Sequence, residues 1–399
     1  MSVLLLRNAL LEDGRNVDVL CRDATVREVG PDLAVPPEAD IADLGGRLLL
    51  PAAAEPHAHL DKAFLAERIA NPRGDLLGAI EAMEGNRHLL NVADTAERAE
   101  RAVQLMVANG VTAIRTHADL TVANGMHSVE ALTLLRGRVS GSCDLQIVAL
   151  VGWPITGEPG RAARALLEEA IDAGVDVVGG CPHLDERPEE ANETLLQMAA
   201  DAGLPVDLHS DETLDVGVLA VEDLADRVLA SGFPHAVTAS HCVSLGMQPE
   251  DVQRRVAVKL AEAGIGVVAL PQTNLYLQGR DHQSAMPRGL TAVRALRAAG
   301  VDVAAGADNL QDPFNPLGRA DPLETAGLMT ITAHLSPADA YAACSTVARR
   351  VMRLPAAGVV AGERADLVAV PASCIREAIA FGPPGRIVVH AGRVVALPN

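Results

Sequence analysis

Eight apolar segments separated by Ala-rich amphipathic stretches fill the middle of the chain, and they narrow its possible folds more than any other feature. They are LLLPAAA (48–54), VTAIRT (111–116), DLQIVAL (144–150), VDVVGG (175–180), LPVDLH (204–209), HAVTAS (235–240), GIGVVAL (264–270) and VDVAAG (301–306). After the first pair they recur roughly every 30 residues, the length of one strand–helix unit. Near-continuous apolar runs of this kind suit parallel strands covered by helices on both faces. Between the first two lies VADTAERAERAVQLMVANG, with Val103 and Met106 on its apolar face and Gly110 as its stop. Eight such units predict a closed (β/α)8 barrel of the TIM type, an α/β fold whose chemistry sits at the C-terminal ends of the strands. An open doubly wound sheet is the competing architecture. The one loose nucleotide-loop spelling, GIGVVA at 264–269, lies inside a strand and opens no helix.

The two ends of the chain differ from the middle. VLLLRNALL, NVDVLCRD, ATVREVG and GRLLLP near the start, and ADLVAV, RIVVHA and RVVAL near the end, read as short strands joined by Gly and Asp turns. Both termini are expected to build one small β-sandwich domain, residues 1–50 plus 361–399, beside a barrel at 51–360.

Composition excludes several classes of function. The net charge is -19, from 52 acidic and 33 basic residues, and no basic patch is present, which argues against a nucleic-acid partner. Aromatic residues are only 2%, so the core must be Val, Leu, Ile and Ala, and a base-stacking platform is disfavoured. No apolar run reaches the length of a membrane span. The opening MSVLLLRNALLEDG lacks a basic start and reads as a strand, not a signal peptide. Six scattered cysteines without a CxxC suggest buried free thiols and a cytoplasmic location. An apolar content of 49% favours a homo-oligomer.

Polar residues gather where the strands end. EPHAHLDK follows the first segment, and period-two alternation sends His57 and His59 to the same side. Their spacing of roughly 6 Å along a strand lets both rings converge on one ion. The second strand ends at His117, the fifth at His209, Asp211 and Glu212, the sixth at His241, and the eighth at Asp308 and Asn309. A catalytic zinc-type site needs three or more N/O ligands and a water. His57, His59, His209 and Asp308 supply them. Glu212 is placed to move a proton between that water and a leaving group, and His241 to orient the water. Asp308 would also accept from the water, making it catalytic as well as a ligand. Neither of the two lysines, Lys62 and Lys259, stands at a mid-barrel strand end where a carboxylated lysine would bridge two metals. One ion is therefore expected, with a bridging carboxylate or Cys181 left open. No GxSxG elbow, P-loop, HExxH or PCxxC motif offers other chemistry.

With EPHAHLDK, IRTHAD, DLHSDE, TASH, NLYLQGR and GADNLQDPFNPLG in this order, the chain resembles the amidohydrolase superfamily, specifically its bacterial cytosine deaminase-like branch. The resemblance runs over nearly the whole chain. It implies His57, His59, His209 and Asp308 as metal ligands, Glu212 as proton shuttle and His241 as the histidine that aims water and holds the developing oxyanion. It further implies one divalent ion, zinc or iron with manganese as a further option, no organic cofactor, and release of ammonia from a ring carbon. The pattern departs at the substrate. After the third strand, Gly152 and Trp153 stand where the branch places a glutamine reader, Asn309 replaces a second aspartate, and Phe314 replaces a tryptophan. Substrate contacts are expected from Trp153, His117, His183, Gln278, Asn309 and Phe314. The resulting expectation is a metal-dependent hydrolytic deaminase that releases ammonia or a small amine from a planar nitrogen heterocycle, with cytosine the first candidate and other pyrimidines, triazines and creatinine-like rings behind it. A cyclic amide hydrolase on the same metal site is the alternative. An inactive metal or ligand binder on the same barrel is the alternative from another class.

Overall fold

A computed structural model describes residues 2–398 of the chain. Sixteen strands form two sheets. The first sheet takes β1 (Val3–Leu10), β2 (Asn16–Arg22), β3 (Thr25–Gly30), β4 (Asp40–Asp43) and β5 (Leu48–Pro51) from the start of the chain. It takes β14 (Leu367–Val370), β15 (Ile387–His390) and β16 (Arg393–Ala396) from the end, in the order β16-β15-β14-β5-β1-β2-β3, with β4 parallel to β1. The second sheet is the barrel: β6 (Ala53–Ala58), β7 (Val111–Leu120), β8 (Asp144–Val151), β9 (Val177–Gly180), β10 (Val206–Ser210), β11 (Val237–His241), β12 (Gly266–Ala269) and β13 (Val303–Ala305). Each barrel strand pairs in parallel with the next, and a parallel bridge between Ala58 and Asp308 joins the last to the first. The (β/α)8 expectation holds, and the open sheet is excluded.

One apolar segment serves both sheets. LLLPAAA has the pattern of a single strand, but β5 ends at Pro51 and β6 begins at Ala53. Proline has no N–H to continue a ladder. The Ala52 amide still bonds Asp366 beside the small sheet, while the Ala53 amide bonds Gly110 in the barrel. The chain changes sheets within two residues.

The small sheet buries both faces by simple alternation. Leu49, Leu367 and Ala369 join Leu4, Leu6, Val19 and Val389 in its own core. Leu48, Leu50, Val368 and Val370 face the other way, onto Leu323, Tyr341 and Ile375 of the barrel side. Gly110, which follows α2 (Val92–Ala108), has a φ of +95°, and a Cβ there would sit 2.8 Å from Val368. The predicted stop is thus also a contact point between the two parts. Asn91 caps the other end of α2 by accepting from the Asp94 amide.

Asp366 anchors the small sheet electrostatically. It accepts from Arg364 at 2.7 Å and from the Ala391 amide at 2.7 Å, and lies 3.1 Å from Arg349. Burial opposes its charge, but His390, Ala391 and Arg364 outweigh burial and hold its pKa at about 2. A depressed carboxylate pKa stabilises the fold above the unfolded value near 3.8 and loses that stabilisation as pH falls toward 2. Asp366→Asn is expected to cost on the order of 2 kcal/mol at neutral pH and to flatten the loss of stability between pH 4 and 2. Urea unfolding against pH measures both; equal slopes in the two proteins would contradict the assignment.

Candidate metal centre

Strand alternation lines the barrel interior with polar side chains. Glu55 and His57 lie on β6, Arg115, His117 and Asp119 on β7, Asp207 and His209 on β10, and Thr238 and Ser240 on β11. At the C-terminal rim, His57 Nε2 lies 3.2 Å from His209 Nε2, which lies 3.2 Å from His59 Nε2. Asp308 Oδ1 is 3.3 Å from His59 Nε2 and 3.7 Å from His57 Nε2. All four are buried, between 0% and 6% exposed. Four donor atoms from three chain segments therefore converge on one point.

The unpaired atoms say what that point wants. Neither Asp308 oxygen has a hydrogen-bond partner, and His209 Nδ1 and His241 Nε2 have none either. Without a cation, burial pushes Asp308 up to about 8 and holds His57, His59 and His209 well below the ordinary imidazole value. A buried carboxylate that meets only neutral imidazoles lacks compensation, and a divalent ion provides it. The donor set fits zinc-type N/O ligation.

The surroundings orient the ligands. Ser240 donates to Asp207 at 3.0 Å, and Asp207 is held by Arg115 at 2.8 Å. With its proton committed, the Ser240 oxygen accepts from His57 Nδ1 at 2.9 Å, which leaves the Nε2 lone pair aimed at the ion. Glu55 crosses the barrel seam, accepting from the His57 amide at 3.1 Å and the Ala307 amide at 3.0 Å. Gly306 makes room, since a Cβ there would lie 2.3 Å from Glu55 Oε1. His241 and Asp308 both adopt left-handed backbone, φ 69° and 66°, a strain of roughly 1 kcal/mol or more each that clusters at functional sites.

His57 also belongs to a group with His117 and Asp207, but Arg115 and Ser240 occupy both Asp207 oxygens. A separate group, Asp144, Asp366 and His390, is tied up by Arg364 and Arg349. Among the described residues a single mononuclear site remains.

A cavity opens over the ligands. Glu212, His241, Asn309, Trp153 and Phe314 line it with His59, His209 and Asp308. Burial, then the charge of Asp308, pushes Glu212 well above the ordinary carboxylate range. His241 Nδ1 donates to Asn274 Oδ1 at 3.1 Å and turns Nε2 inward, and burial lowers its pKa to about 3. Asp211 is no site residue: its carboxylate caps the amides of Ala220 and Val221.

Three expected substrate contacts lie elsewhere. His117 packs behind His57, ring centroids 3.8 Å apart, and does not line the cavity. His183 donates to the His209 carbonyl at 3.0 Å and, with Gln278, lines an adjoining cavity that shares Glu212. The short turn Pro182–Leu184 rotates His183 away. Asn309 lines the cavity, but its amide nitrogen already donates to Asp312 at 2.8 Å.

Lys62 also belongs to the site's lining, although its motif marks it only as a neighbour of the ligand pair. It is 3% exposed and faces the cavity, its Nζ 2.6 Å from Asp119 and 2.9 Å from His59 Nδ1. Its place in EPHAHLDK, one turn past the ligand pair, was the available signal. Cys181 also lines the cavity, and like Cys374 it is only partly buried, whereas the other four cysteines are buried. All six are free thiols.

A parallel barrel with one His/Asp metal centre at its rim defines a metal-dependent hydrolase of carbon–nitrogen bonds. Residues 66–396 match the model of the amidohydrolase family. The chain belongs to the amidohydrolase superfamily, on its cytosine/triazine-deaminase-like branch. It is 34% identical over 390 residues to a pterin deaminase of Rhizobium rhizogenes, covering 96% of this chain and 89% of that one. It superposes on 5-methylcytosine deaminase from Klebsiella pneumoniae with a TM-score of 0.90 at 27% identity, covering 99% and 98% of the two chains. The N-isopropylammelide isopropylaminohydrolase from Burkholderia multivorans matches with a TM-score of 0.86 at 29% identity, over 100% and 99%. Among the described residues, no helix is long and apolar enough to cross a membrane.

Metal analysis of the purified protein is expected to give about one divalent ion per chain. Ser240→Ala, which frees the Nδ1 end of His57, is expected to weaken metal affinity by about 10–100-fold in a chelator competition. Two tightly held ions, or unchanged affinity in the variant, would contradict the arrangement.

Proposed function

We propose that this chain hydrolyses the exocyclic amine of an amino-oxopyrimidine ring, monocyclic or fused, and releases ammonia. The observation that carries this reading is that Glu212 and His241 face the same cavity as the open side of the ligand set. The identity to a pterin deaminase supports a fused ring such as pterin ahead of cytosine. So does the apolar wall of Leu150, Val151, Gly152 and Trp153, which offers no side-chain amide to grip a small pyrimidine edge.

His57, His59, His209 and Asp308 would hold a divalent ion, with zinc or iron as the first choices, and that ion would supply a water of near-neutral pKa. The protein does the rest. His241, with its proton toward Asn274, accepts from the attacking water through Nε2 and aims it at the amino-bearing carbon. Glu212 removes a proton from that water and returns it to the departing nitrogen, acting as base and then as acid. The water oxygen forms the new C–O bond, the C–N bond breaks, and the products are the oxo ring and ammonia. Lys62, fixed by Asp119, is positioned to donate to the ring's oxo oxygen.

Glu212→Gln is expected to lower kcat by about 10²–10⁴-fold while metal content stays at the wild-type level. The reaction is tested by an ammonia-release screen over pterin, cytosine and aminotriazines, run beside a ring-opening assay on cyclic amides. Ring-opened acid without ammonia would replace deamination by cyclic amide hydrolysis.

A further inference from the structure

Two cationic side chains line the cavity, and only one of them is spoken for. Lys62 sits at the buried end between Asp119 and Asp61, at 2.6 and 3.8 Å. Arg87 sits on the short turn Arg87–Leu89, just after α1 (Leu76–Gly85). Its neighbours are paired: Arg73 with Asp75 and Glu81, Arg68 with Asp94, and Arg98 with Asp94. Among the described residues Arg87 makes no ion pair, and its Nε is buried without a hydrogen-bond partner. Arg87 is the one arginine among the described residues that line this cavity.

Its position gives it a direction. The metal ligands at the bottom are at most 6% exposed, whereas Trp153 on the cavity wall is 39% exposed and Glu84, one turn before Arg87, is open to solvent. Arg87 is only partly buried, so it stands toward the mouth. A planar ring with its amino carbon at the metal centre turns its opposite edge toward that mouth.

Resting on the deaminase reading above, we infer that the substrate carries a carboxylate on the ring edge remote from the reacting carbon, and that Arg87 reads it. One guanidinium matches one carboxylate through two parallel N–H···O bonds. A phosphate dianion would call for more cations than one arginine, with Glu84 close by. Arg87 is then a specificity residue, while Glu84 sets a limit by repelling the same charge.

The test compares 2-amino-4-oxopteridine with its 6-carboxylic acid on the full-length, metal-loaded enzyme. The acid is expected to be preferred by about tenfold or more in kcat/KM, the difference lying in KM. Arg87→Gln is expected to bring the ratio to within about twofold, Arg87→Lys to keep part of it, and Glu84→Gln to raise it. No preference for the acid, or equal losses on both rings in Arg87→Gln, overturns the inference and leaves the deaminase reading in place. If neither ring is deaminated, binding to the Glu212→Gln protein, read by pteridine fluorescence, decides. Tighter binding of the acid that disappears in Arg87→Gln/Glu212→Gln upholds the role of Arg87 while the reaction assignment fails. Equal binding of acid and neutral ring overturns it.

Discussion

Asp308 is a carboxylate sealed in the barrel with neither oxygen hydrogen-bonded, ringed by the imidazoles of His57, His59 and His209. Leaving a charge of this kind uncompensated in a protein interior costs several kcal/mol. A divalent cation would remove the penalty, and the residues that hold it would then tie their strands together. Three chain segments, β6 with the residue after it, β10 and the stretch after β13, meet at one point.

That point coincides with the seam of the barrel. The first and last strands meet through the single bridge of Ala58 and Asp308, with main-chain bonds from His59 to Asp308 and from Asp308 to His57. Glu55 doubles the seam with two further amide contacts, possible because position 306 is glycine. Ligand geometry and barrel closure are thus set by the same few residues. The left-handed backbone of His241 and Asp308 is held by its packed surroundings and not by local preference.

Much of this was legible in the residues. Parallel strands buried on both faces announce themselves as apolar runs, and the recurrence of those runs implied the barrel. HxH, HxxE, the histidine of TASH and the aspartate of GADN stood at strand ends, where a barrel places its chemistry, and the structure brings them together at one cavity. What stayed hidden depended on contacts far apart in sequence. Asp207 and Ser240 follow the same period-two rule as His57 and His209, yet nothing local distinguishes a ligand-orienting Ser from a packed one. Lys62 stands in the motif itself, but its contact with Asp119 on β7 joins residues 57 positions apart. Arg87 lies beyond LLGAIEAMEG, whose apolar residues spread around the helix and mark no inner face. His183 and Gln278 were placed by nearness to strand ends, whereas one tight turn was enough to move His183 to the neighbouring cavity.

The central claim is that one ion sits among His57, His59, His209 and Asp308. The most direct measurement is an anomalous-difference map from crystals of the metal-loaded enzyme, collected at the absorption edge of the bound metal. The account expects a single strong peak at about 2.0–2.2 Å from the three imidazole nitrogens and the Asp308 carboxylate. A peak centred on His117 and Asp207, a second peak of similar height, or no peak at these four residues would contradict it.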